Sequence, residues 1–229
     1  MSQFDAFAYR RGSRAPSIPD IDRPRAPGVC TDYKDPISED QYDRRLNQRR
    51  RIKLRDRPVK VVWKKPENGR IKLNFDGSRG REGQASIGGV FRNHKAEFLL
   101  GYSESIGEAT STMAEFAALK RGLELALENG LTDLWLEGDA KIIMDIISRR
   151  GRLRCEKTNK HVNYIKVVMP ELNNCVLSHV YREGNRVADK LAKLGHQFQD
   201  PKVWRVQPPE IVLPIMHDDA KGKIVLRTK

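Results

Sequence analysis

A chain of 229 residues holds one domain of ordinary size with extensions. Its 43 Lys and Arg against 30 Asp and Glu give a formal charge of +13. That balance argues against an acidic-ligand or calcium-buffering protein and favours a polyanionic partner such as nucleic acid. Hydrophobic residues make up 38 % of the chain, too few for all of it to be core. No apolar run approaches the roughly 18 residues of a membrane span, so no membrane partner is expected. The three cysteines, Cys30, Cys155 and Cys175, are odd in number and far apart, which speaks against a zinc site or a disulfide framework. A reduced intracellular compartment is expected. No secretory signal is read at the N-terminus, and the arginines of residues 1–19 leave an organelle transit segment open.

Composition divides the chain in three. Residues 1–70 carry 18 basic and 10 acidic side chains, residues 71–198 carry 19 and 16, and residues 199–229 carry 6 and 4. The middle segment holds nearly all the periodic apolar pattern, so the positive excess lies mostly outside the folded part. Residues 1–60 read as a basic, largely disordered N-terminal arm, rich in Arg, Pro and Asp. Its densest run, Arg44 to Arg57, has eight basic residues and one acid. Three readings stand for it: an arm that contacts phosphates, a nuclear-import signal and a solvated charged linker. The nucleus is the favoured compartment, an organelle the second. Residues 199–229, with Pro201, Pro208, Pro209 and Pro214, read as an extended tail that could dock Ile211, Val212 and Leu213 on the domain.

Within residues 61–198, Ile71, Leu73 and Phe75 alternate along a first strand (71–76), followed by a turn at Gly77, Gly80 and Gly83. Two more strands, 86–93 and 97–105, follow with a short connection and suggest an antiparallel meander. The period then changes. Ala118, Leu119, Gly122, Leu123 and Ala126 share one face of a helix over 112–129, closed by Gly130. A strand at 134–138, helices at 140–149 and 159–169, a strand at 175–181 and a helix at 185–194 complete the domain. This order predicts an α/β fold in which a mixed sheet is covered by helices.

No GxSxG, HExxH or P-loop is present. Four acids stand at element edges: Asp76, Glu115, Asp139 and Asp189. Each has an ordinary explanation. Asp76-Gly77 suits a turn, Thr112 with Glu115 suits a capping box, Asp139 suits an N-cap, and Asp189 suits a solvated stripe with Asn185 and Lys193. Glu115 fits its explanation least, because the helical spacing puts it on the inward stripe. A carboxylate there needs a cation, a hydrogen-bond network or a metal. Asp76 and Asp139 lie at strand ends that parallel neighbours would bring together. Hard oxygen donors without Cys or His indicate Mg²⁺ or Mn²⁺.

The stretches Gly69-Arg-Ile-Lys-Leu-Asn-Phe-Asp76-Gly-Ser78, Met113-Ala-Glu115-Phe-Ala-Ala118, Leu136-Glu-Gly-Asp139-Ala and His179-Val-Tyr-Arg182-Glu-Gly-Asn185-Arg-Val-Ala-Asp189 occur in this order. Together they resemble the ribonuclease H-like domains found widely in plants and related to retroelement reverse transcriptases, over about residues 61–198. The resemblance implies a ribonuclease H-like fold, a five-stranded mixed sheet flanked by helices. It implies that Asp76, Glu115, Asp139 and Asp189 form a catalytic D-E-D-D set holding two Mg²⁺ or Mn²⁺ ions. In that set Asp76 bridges the ions, Glu115 and Asp139 hold the nucleophile side, and Asp189 holds the leaving-group side. It implies cleavage of the RNA strand of RNA–DNA hybrids, leaving a 3′-hydroxyl and a 5′-phosphate. The alternatives are a nucleic-acid-binding module with weak or no turnover, or a component of a larger ribonucleoprotein assembly reached through arm or tail.

Candidate nucleic-acid contacts follow from the same resemblance. Backbone N–H groups around Gly77, Ser78 and Gly80, and the hydroxyls of Ser111 and Thr112, would approach 2′-hydroxyls; ordinary turn and cap chemistry is the alternative. Arg149, Arg150, Arg152 and Arg154 sit in a basic loop where some relatives carry a substrate-binding projection. Bacterial-type enzymes place a histidine between the last strand and last helix. Here that link is Arg182 to Asn185; Arg182 is the candidate substitute, Glu183 a weaker one, and Asn185 is a further candidate contact. His179 falls too early for the role and reads as structural.

Overall fold

Strands with one apolar face and helices with one apolar stripe bury them against each other, and here they do so on both faces of one sheet. The computed structural model describes residues 6–10, 58–148 and 153–227. The strands are β1 (Ala6–Arg10), β2 (Val59–Val61), β3 (Ile71–Arg79), β4 (Gln84–Arg92), β5 (Phe98–Glu108), β6 (Asp133–Gly138), β7 (Asn174–His179), β8 (Lys202–Trp204) and β9 (Val225–Arg227). The helices are α1 (Ser111–Glu128), α2 (Lys141–Ser148), α3 (Glu156–Val168), α4 (Arg186–Leu194) and α5 (Leu213–Ala220). No described helix is long and apolar enough to cross a membrane.

The main sheet runs β1-β7-β6-β3-β4-β5-β8. Its centre is the expected mixed sheet: β3, β4 and β5 form the antiparallel meander, while β3, β6 and β7 are mutually parallel. The strand count departs from the expected five, since β1 and β8 pair antiparallel to the two outer strands. These additions are five and three residues long, too short to show a period, and they form because an edge strand presents unpaired N–H and C=O groups. β1 lies in what was expected to be a disordered arm; the rest of that arm up to residue 57 falls outside the described residues.

The period-2 alternation of β3 sends Leu73 and Phe75 into the larger core, with the apolar stripes of α1, α2 and α3. Lys72, Asn74 and Asp76 point to the opposite face, and all three are buried. A smaller apolar cluster of Val90, Val187, Leu191, Val212 and Met216 covers part of that face beneath α4 and α5. The expectation of an extended tail is therefore corrected. Residues 202–227 form β8, α5 and β9, and β9 pairs with β2 from the other flank. Pro214, at the second position of α5, has no N–H to satisfy there, so a proline that reads as a helix breaker instead opens the helix. Val212 is fully buried, while Ile211 and Leu213 remain exposed.

Beside this cluster lies a buried polar layer. Lys72 Nζ donates to Glu137 Oε2 at 3.0 Å and sits 3.3 Å from the centre of the Trp135 ring. Burial lowers the Lys72 pKa to about 8, against the opposing pull of Glu137. Arg92 lies 3.7 Å from the centre of the Trp63 ring and donates to Asp219 Oδ2 at 2.9 Å. Buried charges persist only when paired in this way.

Candidate metal centre

Parallel pairing of β3 with β6 places the ends of both strands side by side, and the acids of these two ends meet as expected. β3 is longer than predicted, so Gly77 lies within the strand and the turn falls at Gly80–Gly83. A Cβ on Gly77 would stand 2.4 Å from the Ala114 carbonyl carbon and 2.5 Å from the Glu115 amide nitrogen. The first turns of α1 therefore rest directly on the strand, which brings Glu115 over Asp76. Helix α1 is capped by Thr110, whose hydroxyl accepts from the Met113 N–H at 3.1 Å. Thr112 is buried and is not the cap, so Glu115 has no capping-box role.

Asp76, Glu115 and Asp139 each offer one carboxylate oxygen, and the three oxygens lie within 4.8 Å of one another. Burial, then the charges of Asp139 and Asp189, hold the Asp76 carboxyl well above its ordinary range. Burial, then Asp76 and Asp139, do the same for Glu115. Burial also raises Asp139, and Arg182 and Asn185 partly offset it. Glu115 Oε2 is buried with no hydrogen-bond partner. Converging carboxylates with an orphaned buried oxygen and raised pKa values fit the donor set that a hard divalent cation takes.

Asp189, in the first turn of α4, is within electrostatic reach of this cluster but is held differently. Arg182 donates to its Oδ1 from Nη2 at 2.6 Å and from Nε at 3.2 Å, and Lys193 donates to its Oδ2 at 2.6 Å. Burial alone would raise the Asp189 carboxyl, but the hydrogen bonds from Lys193 and Arg182 win and hold it below its ordinary value. The link residue Arg182 thus sits at the fourth acid. His179, at the end of β7, directs Nε2 to the Asp139 carbonyl at 3.1 Å, a structural contact.

The expected nucleic-acid contacts divide. Ser111, Arg154 and Arg182 are exposed. Ser78 is half-buried, with its hydroxyl 3.1 Å from His196 Nε2. The Gly77 N–H donates to Asp76 Oδ1 at 3.0 Å, and the Gly80 N–H to the Gln84 carbonyl at 2.7 Å, so neither amide is available for a 2′-hydroxyl. Thr112 and Asn185 are buried, at 4 % and 1 % exposure. Asn185 instead donates from Nδ2 to the Phe75 carbonyl at 2.9 Å and to Asp139 Oδ1 at 3.4 Å, joining the metal-centre acid to the buried polar layer. Arg149, Arg150 and Arg152 lie outside the described residues. The stripe that joined Lys193 to Asp189 in the sequence is an ion pair in the structure; sequence reasoning missed Asn74 and His196, and a polar Asn between Leu73 and Phe75 in a buried strand was the legible signal for the first.

A mixed five-strand centre, helices on both faces and an acidic cluster at the parallel strand ends define a ribonuclease H-like domain. A family model described as reverse transcriptase-like matches residues 74–195, and the chain belongs to that family. It is 34 % identical over 133 residues to a provisionally named ribonuclease H protein of Arabidopsis thaliana, an alignment covering 58 % of this chain and 21 % of that one. It is 28 % identical over 145 residues to ribonuclease HI of Halobacterium salinarum, covering 58 % and 68 %. The crystal structure of RNase H1 from that archaeon superposes with a TM-score of 0.53 at 25 % identity, covering 56 % of this chain and 98 % of that one. The N-terminal RNase H domain of a Mycobacterium tuberculosis protein shares the fold, with a TM-score of 0.51 and 23 % identity over 56 % of this chain and 94 % of that chain. The chain spans about a fifth of the Arabidopsis relative's length.

Proposed function

We propose that this protein is a divalent-metal-dependent endonuclease that cuts the RNA strand of RNA–DNA hybrids. The observation that carries this reading is the convergence of Asp76, Glu115 and Asp139, with ligand oxygens within 4.8 Å and Glu115 Oε2 buried and unpartnered. Asp76, Glu115 and Asp139 would hold Mg²⁺ or Mn²⁺, with Asn185 orienting Asp139. The metal, when bound, would supply an activated water and stabilise the leaving oxygen of an in-line displacement. Arg182 and Lys193 are exposed and bonded to Asp189; they would be available to an entering phosphate, and Asp189 would join the acid set on exchanging them for the metal. Ser111 and Ser78 are the exposed or half-buried hydroxyls left to read a 2′-hydroxyl.

A second reading, a nucleic-acid-binding module with little turnover, is favoured by one feature: both oxygens of Asp189 are taken by cations of the chain itself. The two are separated by incubating labelled hybrid, duplex RNA and duplex DNA with the protein in Mg²⁺ or in EDTA. Hybrid-selective, Mg²⁺-dependent cleavage absent from Asp76→Asn supports the nuclease. Hybrid binding without cleavage above that control supports the binding module.

A further inference from the structure

We infer that Asp219, in α5 of the C-terminal segment, is a positioning residue for the carboxylate cluster, acting through Arg92, Asn74 and Asn185. The inference rests on the metal-dependent reading above and extends it to a residue beyond the span matched by the family, which ends at residue 195.

Asp219 is 4 % exposed and accepts from two guanidinium groups, Arg92 Nη1 at 2.9 Å and Arg186 Nη2 at 3.1 Å. The second amino group of Arg92 donates to Asn74 Oδ1 at 3.1 Å, where Trp63 Nε1 also donates at 2.8 Å. Asn74 Nδ2 donates to Asn185 Oδ1 at 3.3 Å, and Asn185 Nδ2 donates to Asp139 Oδ1 at 3.4 Å. Arg92, Asn74 and Asn185 are each 1 % exposed.

The sense of this relay is fixed by chemistry. Arginine and the indole N–H only donate. Asn74 must therefore present its oxygen to them and its NH₂ to Asn185. Asn185 in turn must present its oxygen to Asn74 and its NH₂ to Asp139. Either amide turned over would set two acceptors or two donors face to face in a dry layer. Asp219 orients the fork at the head of the relay, and through Arg186 it also anchors the first turn of α4, beside Asn185. With Asp219 removed, a buried guanidinium loses its counter-charge and its orientation, and Asn74 is left with Trp63 and Glu137 alone to set the amide that meets Asn185, so the hold on Asp139 loosens.

The test uses the full chain and Mg²⁺ alone as probe, with binding measured by calorimetry well below the unfolding midpoint. Outer partners of metal ligands typically change metal affinity about 10–100-fold, so Asp219→Asn is expected to raise the Mg²⁺ Kd about 10-fold. Glu210→Gln, at an exposed acid of the same C-terminal segment, should leave it unchanged. Arg92→Lys keeps the charge but cannot bridge Asp219 and Asn74, and should match Asp219→Asn. Should neither variant fold, the wild-type chain decides. Mg²⁺ titration should shift the Arg92 Nε–H resonance in step with the Asp139 amide, and a stationary Arg92 signal overturns the inference. A lower melting point with an unchanged Kd likewise assigns Asp219 to stability alone. Wild-type protein that binds no Mg²⁺ overturns both this inference and the nuclease reading, whereas binding that is equal in wild type and variants overturns only the positioning role.

Discussion

At the scale of single residues, the carboxylate cluster opposes the fold that builds it. Asp76, Glu115 and Asp139 all have folded-state pKa values above the ordinary 3.8, 4.5 and 3.8. A raised acid contributes stability below its ordinary pKa and loses that contribution as pH rises through the folded value. The metal-free protein should therefore gain stability from this cluster as pH falls from neutrality toward the ordinary carboxylate range, and pay most at neutral pH. Asp76→Asn removes one of the crowded charges. In EDTA at pH 7.5 we expect it to raise the melting midpoint, about 2–4 °C for each kcal/mol in a protein of this size, while abolishing the further gain on adding Mg²⁺. Differential scanning calorimetry with and without Mg²⁺ checks both; a lowered midpoint in EDTA would show that Asp76 is satisfied without metal. The three acids that converge, Asp76, Glu115 and Asp139, stood out in the sequence because they lie at element edges, and Glu115 because helical spacing turned it inward. The fate of Asn185 was not: nothing local distinguishes a buried amide from one offered to a substrate until β3 and α4 are packed together.

At the scale of elements, the position of α4 decides where Asp189 and Asn185 stand, and the sheet grips α4 by its backbone. A Cβ on Gly88 would lie 2.2 Å from the Ala192 amide nitrogen and 2.5 Å from the Leu191 carbonyl carbon. On either side, Ser86 donates to the Ala192 carbonyl at 2.5 Å and Ser103 to the Leu191 carbonyl at 2.6 Å. Each hydroxyl is a second donor to a carbonyl that the Gly195 N–H at the helix end also reaches. Gly88→Ala must push α4 away from β4, since the obstructing atoms are backbone. We expect a loss of about 1–3 kcal/mol in urea unfolding, the usual range for overpacking. A fall in hybrid cleavage at temperatures where the variant remains folded should accompany it. Full activity with unchanged stability would mean that the close approach is not required. Paired glycines within the strand Ser86-Ile-Gly-Gly-Val90 carried this information, because strand glycine marks close backbone approach. The C-terminal helix was illegible for a different reason: α5 has eight residues and begins next to a proline, so length and composition both pointed to loop.

At the scale of the whole molecule, the two flanks meet: β2 precedes the domain, β9 follows it, and they pair with each other. With Trp63 from one flank and Asp219 from the other both buried, the described folded part takes in residues 58–148 and 153–227 together with β1, and it exceeds the span matched by the family. Residues 58–227 carry 28 basic and 21 acidic side chains, but three of the acids converge at the site itself. An equal excess of positive charge is packed into Arg44 to Arg57, eight basic residues and one acid, joined to β2 by Pro58. Tethered this close, it would raise the local affinity for a polyanion without touching the carboxylate cluster. Each phosphate it neutralises would add about 0.9 to the slope of log K against log salt. Deleting residues 44–57 while leaving β2 intact should therefore weaken hybrid binding at low salt by about 10-fold or more and flatten the salt slope by several units. The cleavage rate at saturating hybrid should be preserved. The measurement is binding by fluorescence anisotropy from 50 to 200 mM salt, paired with single-turnover cleavage. An unchanged slope would remove nucleic acid from the arm's role and leave targeting or spacing. A lost single-turnover rate with an unchanged slope would mean that the segment acts on the folded domain.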